Sequence, residues 1–180
     1  MEGIYSFLAF YERKTAEVYE KIRPSIKNGT ARLLISILAI DSRKHSEVFR
    51  HLSGGEVPKT APEADLGPVA AEAVRILDEA ESLIGKKAPL EILEGLVKYE
   101  KLMNEEYLVE IYAKALDLKQ KNGTIKKVLN SIAEDENRHR DFLEQAISLE
   151  KGEAGSCMQK MEMGVEDWRV LIGSMARYWG

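Results

Sequence analysis

The 180 residues can bury one substantial core but would crowd two full domains, so a single domain with appendages is the expectation. An apolar fraction of 44% beside a charged fraction of 31% is that of a soluble globular chain, and a formal net charge of -4 leaves no basic excess to attract phosphate backbones; nucleic acid is not an expected partner. The single cysteine, Cys157, excludes an internal disulfide and a tetrathiolate iron or zinc module.

The first residues, MEGIYSFLAFYERK, include an apolar stretch that is short, has no basic leader and runs straight into Glu12, Arg13 and Lys14, unlike a signal peptide. No run approaches the roughly 18 apolar residues of a membrane span. A cytoplasmic protein with no membrane partner is expected.

Apolar residues recur at steps of three and four between sparse Gly and Pro breaks, which is the helical period and predicts an all-α chain. The first helix is expected over Glu2 to Ile26, shortened or bent by Pro24, with Leu8, Ala9, Glu12, Ala16, Tyr19 and Ile22 on one face. Asn28 and Gly29 suit the left-handed conformation at a helix end, and Thr30 can cap the next helix. That second helix, Thr30 to Leu52, turns Leu34, Leu38, Asp41, His45, Val48, Phe49 and Leu52 inward. Ser53 to Pro68 has no period and reads as an exposed connection, leading to a helix over Val69 to Ile84. After a break at Lys86 to Pro89, a third long helix over Leu90 to Lys121 aligns Leu93, Leu96, Val97, Glu100, Met103, Tyr107 and Ile111. The fourth, Thr124 to Leu149, aligns Leu129, Ile132, Glu136, His139, Phe142, Leu143 and Ala146.

The chain repeats itself. Asn28, Gly29, Thr30, Ala39, Asp41 and His45 recur 94 positions later as Asn122, Gly123, Thr124, Ala133, Asp135 and His139. Tyr11, Glu12 and Tyr19 recur 88 positions later as Tyr99, Glu100 and Tyr107. Two copies of one helix pair therefore build the domain over residues 1–152, with residues 53–89 as the crossover and 153–180 as linker and tail.

Each long helix carries titratable groups in the middle of its apolar face: Glu12; Asp41 with His45; Glu100; and Glu136 with His139. Taken singly, such a residue is more often a solvated charge. As a set facing one core they would be costly to bury, and a metal ion resolves that cost by taking carboxylates and imidazoles as ligands. Glu136 and His139 stand three apart, so both reach one point on the bundle axis, and the donor types suit iron, manganese or zinc.

This pattern resembles the ferritin-like superfamily in its rubrerythrin-like branch, whose members bind two iron ions with one Glu on each of helices one and three and an ExxH motif on each of helices two and four. The resemblance covers the four long helices. It implies a ferritin-like up-down four-helix bundle in which Glu12, His45, Glu100, Glu136 and His139 are metal ligands. Asp41 and Asp135 resemble aspartates that hydrogen-bond the histidine of the opposite helix, and Tyr19 and Tyr107 stand at the spacing from Glu12 and Glu100 common in that branch. This chain departs from the pattern at Ser42, where the first ExxH would have its glutamate, and at Met103, where an additional glutamate is usual. The missing cysteines leave no rubredoxin module.

The tyrosines Tyr11, Tyr19, Tyr99 and Tyr107 are expected to be core residues whose hydroxyls bond carboxylates. His51, outside the repeat, is expected to be a surface or packing histidine, and Glu134, which has no acidic counterpart at Ile40, to be solvated or to stand behind the ligands. In the tail, Trp168, Leu171, Ile172, Met175, Tyr178 and Trp179 share one helical face and predict a fifth amphipathic helix that docks on the bundle or on another subunit. Cys157, Met158, Met161 and Met163 form a soft-donor cluster that reads chiefly as gap-filling and secondarily as a copper(I) site.

The expected function is that of a non-haem iron or mixed-metal redox protein reacting with dioxygen or peroxide. Its electron donor is unidentified, Ser42 leaves a position for water or an outside ligand, and a homodimer is the expected assembly. The alternatives are metal sensing, storage or delivery without turnover, and a structural bundle that has lost its metal site.

Overall fold

The computed structural model describes residues 2–61, 67–102 and 123–152, and among these all regular structure is helical. The elements are α1 (Glu2–Ile22) with a 3-10 turn at Arg23–Ser25, α2 (Gly29–Ser53), α3 (Gly67–Leu83), α4 (Pro89–Leu102) and α5 (Gly123–Glu150). None of these helices is long and apolar enough to cross a membrane.

Pro24 ends the first helix as its fixed φ and missing N–H require, by tightening the chain into the 3-10 turn. The start of α2 differs from the sequence expectation. Asn28 is extended (φ -68°, ψ 125°) rather than left-handed, and its side chain, not that of Thr30, accepts the capping hydrogen bonds from the N–H groups of Thr30 and Ala31. The left-handed residue lies at the other end of α2, where Gly54 (φ 73°) closes the helix. Pro68 falls inside α3, which begins at Gly67, two residues before the expected start. Pro89 likewise opens α4 instead of closing the break before it, since a proline is tolerated in the first turn.

Pairwise contacts fix the helix directions. Tyr5 stacks on Phe49, Ser46 donates to the Ala9 carbonyl at 2.7 Å, and Arg43 pairs with Glu20, so α1 and α2 are antiparallel. Asn28 donates to the Leu149 carbonyl while Lys44 reaches Asp135, so α2 and α5 are antiparallel too. Lys151 pairs with Glu94 at one end, and Glu100 approaches Glu136 and His139 at the other, which sets α4 against α5 in the same sense. Accordingly α1 and α5 run one way and α2 and α4 the other, so the order is up, down, down, up instead of the strict up-down alternation expected, because the connection carrying α3 spans the length of the bundle between α2 and α4.

The apolar faces read from the period are the core. Leu8, Ala9, Ala16, Tyr19 and Ile22 of α1 are buried with Leu34, Leu38 and Phe49 of α2, Leu93 and Leu96 of α4, and Leu129, Ile132, Leu143 and Ala146 of α5. At the ordinary worth of buried apolar area, about 25 cal/mol per Å², this shared interior is the main force holding the four helices together. The crossover helix α3 packs on α1 and α4, contributing Ala73 and Leu77 to the same core, and Lys14 ties it down through Asp78 and Glu81. Arg13 holds the connection that precedes α3 by donating to the Val57 and Pro58 carbonyls.

The stretch expected to continue the third long helix, with Met103, Tyr107 and Ile111, lies outside the described residues, as do the expected tail helix and the Cys157, Met158, Met161 and Met163 cluster.

Candidate metal centre

In the middle of this apolar interior the structure buries Glu12, Ser42, His45, Glu100, Asp135, Glu136 and His139. The helical period puts them there. Glu12 follows Leu8 by one turn, and Glu100 follows Leu96 by one turn, so each glutamate continues its helix's apolar stripe into the core.

The side chains converge as two triads. Ligand atoms of Glu12, His45 and Glu136 lie within 4.8 Å of one another, and so do those of Glu100, Glu136 and His139. Glu136 belongs to both. Its Oε1 lies 3.0 Å from His45 Nδ1 and 3.3 Å from His139 Nδ1, and the two imidazoles stack with centroids 5.7 Å apart. Both rings thus aim Nδ1 at the shared carboxylate.

The opposite nitrogens face outward to aspartates on the partner helix. His45 Nε2 lies 3.1 Å from Asp135 Oδ2, and His139 Nε2 lies 3.7 Å from Asp41 Oδ2. An aspartate on Nε2 fixes the tautomer that frees Nδ1 for a ligand and raises its basicity. Lys44 joins the two aspartates by donating to Asp41 at 2.9 Å and to Asp135 at 2.7 Å. Arg138 also pairs with Asp135.

Tyr19 donates to Glu100 at 2.5 Å from the heart of α1. The Tyr99 hydroxyl meets Thr15 Oγ1 at 2.8 Å while its ring stacks on Tyr11. Ser42 is fully buried beside Glu12 and helps that carboxylate's charged form, although the two fall short of a well-formed hydrogen bond. His51 and Glu134 are exposed.

The electrostatics of the cluster are those of too many carboxylates in too little water. Burial, with Glu136 close by, pushes the Glu12 carboxyl well above its ordinary range and lifts Glu100 to about 7. Burial also acts to raise Glu136, but the charge and hydrogen bond of His139, with His45 beside it, hold it at about 2. His139 moves the other way, to about 11: Glu136, Asp41 and Glu100 outweigh the burial that would discharge it. His139 beside Asp41, with Lys44, keeps that carboxyl well below the usual range. Burial notwithstanding, Lys44 and His45 hold Asp135 low as well.

A metal ion fits this donor set. Glu12 Oε1 and His45 Nδ1 are buried without a well-formed hydrogen bond among the described residues, an arrangement that costs free energy unless something else coordinates them. Each triad offers an ion one imidazole, one carboxylate of its own and Glu136, and an ion bound there would favour the charged carboxylates that burial now disfavours. Carboxylate with imidazole is the chemistry of iron, manganese or zinc sites.

The residue that sequence reasoning missed is Lys44. A lysine beside a histidine on a helix reads as solvated, and its ammonium is indeed half exposed. The signal lay in the repeat, where the equivalent position is the equally cationic Arg138.

No protein family, no curated protein and no solved structure matches this chain.

Proposed function

We propose that the chain is a ferritin-like, rubrerythrin-like metal-binding protein that holds two iron ions, or a mixed pair, and reacts with dioxygen or peroxide. The observation that carries this reading is the sharing of Glu136 by two triads whose histidines present Nδ1 inward and turn Nε2 towards aspartates of the opposite helix, Asp135 at 3.1 Å from His45 and Asp41 at 3.7 Å from His139. A chance cluster of buried charges has no reason to repeat that arrangement on both sides of one carboxylate. The helix directions, with one long crossover between the second and third long helices, are also those of ferritin-like bundles.

Bound ferrous ions would supply open coordination positions for the oxidant and two electrons, enough to take one peroxide and two protons to two waters. The chain's own residues do the rest. Glu12, Glu100 and Glu136 bring the negative charge that favours the oxidised metal, and Tyr19 steadies Glu100 through its hydroxyl. The apolar shell of Leu8, Leu38, Leu96 and Ile132 excludes bulk water. Electrons for repeated turnover come from a separate donor.

The test is to load the protein anaerobically with ferrous ion, count the bound iron, and then admit air or peroxide. Two ions per chain and oxidation of the iron with consumption of peroxide are the expected results. Bound iron with background peroxide consumption would make the protein a metal store or sensor. No bound metal would leave a structural bundle.

A further inference from the structure

The internal repeat sets Ser42 in the place that Glu136 occupies in the other half. Glu136 is the carboxylate shared by both triads, so the second half of the repeat supplies a bridge and the first half does not. A serine side chain is three heavy atoms shorter than a glutamate's, and the missing atoms are a carboxyl group. Formate has the same three heavy atoms. Ser42 is 1% exposed, and its hydroxyl lies close enough to Glu12 to favour that carboxylate's charged form without making a well-formed hydrogen bond among the described residues. A buried hydroxyl in that condition has a donor to offer.

Charge points the same way. Two divalent cations bring four positive charges to a buried site, against three from Glu12, Glu100 and Glu136. An uncompensated charge in a low-dielectric interior is costly, so a fourth negative group is wanted where Ser42 stands.

We propose that Ser42 marks a binding position for a small outside oxyanion, a carboxylate of the size of formate or acetate, which bridges the two metal ions in place of the absent glutamate and accepts a hydrogen bond from the Ser42 hydroxyl. This rests on the two-ion reading of the site. It makes the metal centre a receptor for carboxylates, either a free small anion or the carboxylate end of a substrate.

The experiment is an anaerobic ferrous titration of the full chain against a competing chelator, with sodium chloride replaced stepwise by sodium formate, or by sodium acetate, at fixed ionic strength. In chloride the second ion binds more weakly than the first; saturating formate tightens it at least about tenfold. Acetate acting as strongly as formate indicates room for a substituted carboxylate, and formate acting alone indicates a free small anion. Ser42→Glu supplies the bridge internally, so it binds two ions in chloride and gains nothing from formate. Ser42→Ala keeps the room but loses the hydroxyl, and it needs several-fold more formate for the same effect. Two ions bound by the natural chain with equal affinity in chloride, formate and acetate would overturn the proposal and leave the metal reading standing. So would a formate effect of equal size in Ser42→Glu, since the anion would then act elsewhere. No iron bound in any medium would remove both.

Discussion

His45 Nε2 lies 3.1 Å from Oδ2 of Asp135, a residue of the other half of the repeat. The same carboxylate oxygen accepts from Lys44 at 2.7 Å, and Lys44 also bonds Asp41, which faces His139. One ammonium group on the surface therefore ties together the two aspartates that face the buried imidazoles, and through Asp135 it is hydrogen-bonded to His45.

Replacing Lys44 with Met removes this tie while keeping most of the side chain's length. Its ammonium is half exposed and Asp135 keeps Arg138 as a partner, so the loss in stability of the metal-free protein is small, about 1 kcal/mol. Metal affinity falls more, by roughly tenfold or above, as is usual when the groups that orient metal-binding histidines are disturbed. Competition with a chromophoric chelator measures the affinity and thermal unfolding the stability. Equal affinity in the two proteins would show that the aspartates hold the histidines unaided.

The buried carboxylates and His139 give the metal-free protein an unusual pH dependence. Glu100 is lifted from 4.5 to about 7 and Glu12 is lifted too, so the folded state keeps protons that the unfolded chain releases, and stability falls as pH rises through this range. His139 is raised from 6.5 to about 11; its contribution is complete below 6.5 and is lost as pH climbs through 11. Glu136, lowered from 4.5 to about 2, contributes above 4.5 and is lost as pH falls through 2. Stability of the chelator-stripped protein is therefore greatest near pH 5 and declines towards pH 9. Metal reverses the trend, because its ligands must shed those protons, so the gain in unfolding midpoint from added manganese grows from pH 5 to pH 9. Midpoints measured with and without the ion at three pH values check both slopes.

Asn28 links the start of α2 to the end of α5. Its side chain caps α2 at the Thr30 and Ala31 amides and donates to the Leu149 carbonyl, while its own N–H bonds Glu150. Asn28→Ala is expected to cost about 1–2 kcal/mol, the upper part of the range for a lost cap, with metal stoichiometry unchanged. Denaturant unfolding and metal analysis on the same preparation separate the two effects.

That cap also shows where the sequence is legible and where it is not. Asn28, Gly29 and Thr30 announce a helix boundary by type, but Asn and Thr can both cap, and the choice depends on where Glu150 and Leu149 arrive from far along the chain. The buried faces are legible because burial follows the helical period, which is local. Lys44 was hidden for the opposite reason: its partners, Asp41 one turn away and Asp135 on another helix, meet only when α2 and α5 pack. The opposition of Asp41 to His139 and of Asp135 to His45 is an expectation from the resemblance to rubrerythrin-like bundles; the repeat by itself shows only that the two aspartates, and the two histidines, hold equivalent positions.

The two triads make unequal demands on their members, and substitution by glutamine separates them. Glu12 belongs to one triad, and burial with Glu136 close by pushes its carboxyl well above the ordinary range, so Glu12→Gln removes a disfavoured buried charge without changing the side chain's shape. The metal-free protein at pH 7 loses no stability, and one ion still binds at Glu100, Glu136 and His139. Glu136 belongs to both triads and is the charge that balances His139. Glu136→Gln costs the metal-free protein roughly 3 kcal/mol, because a buried pair loses one partner, and it abolishes both metal positions. Metal analysis after equilibrium gel filtration reads the stoichiometry, and unfolding reads the stability. Loss of both ions in Glu12→Gln, or retention of one in Glu136→Gln, would mean that the bridge lies elsewhere than at Glu136.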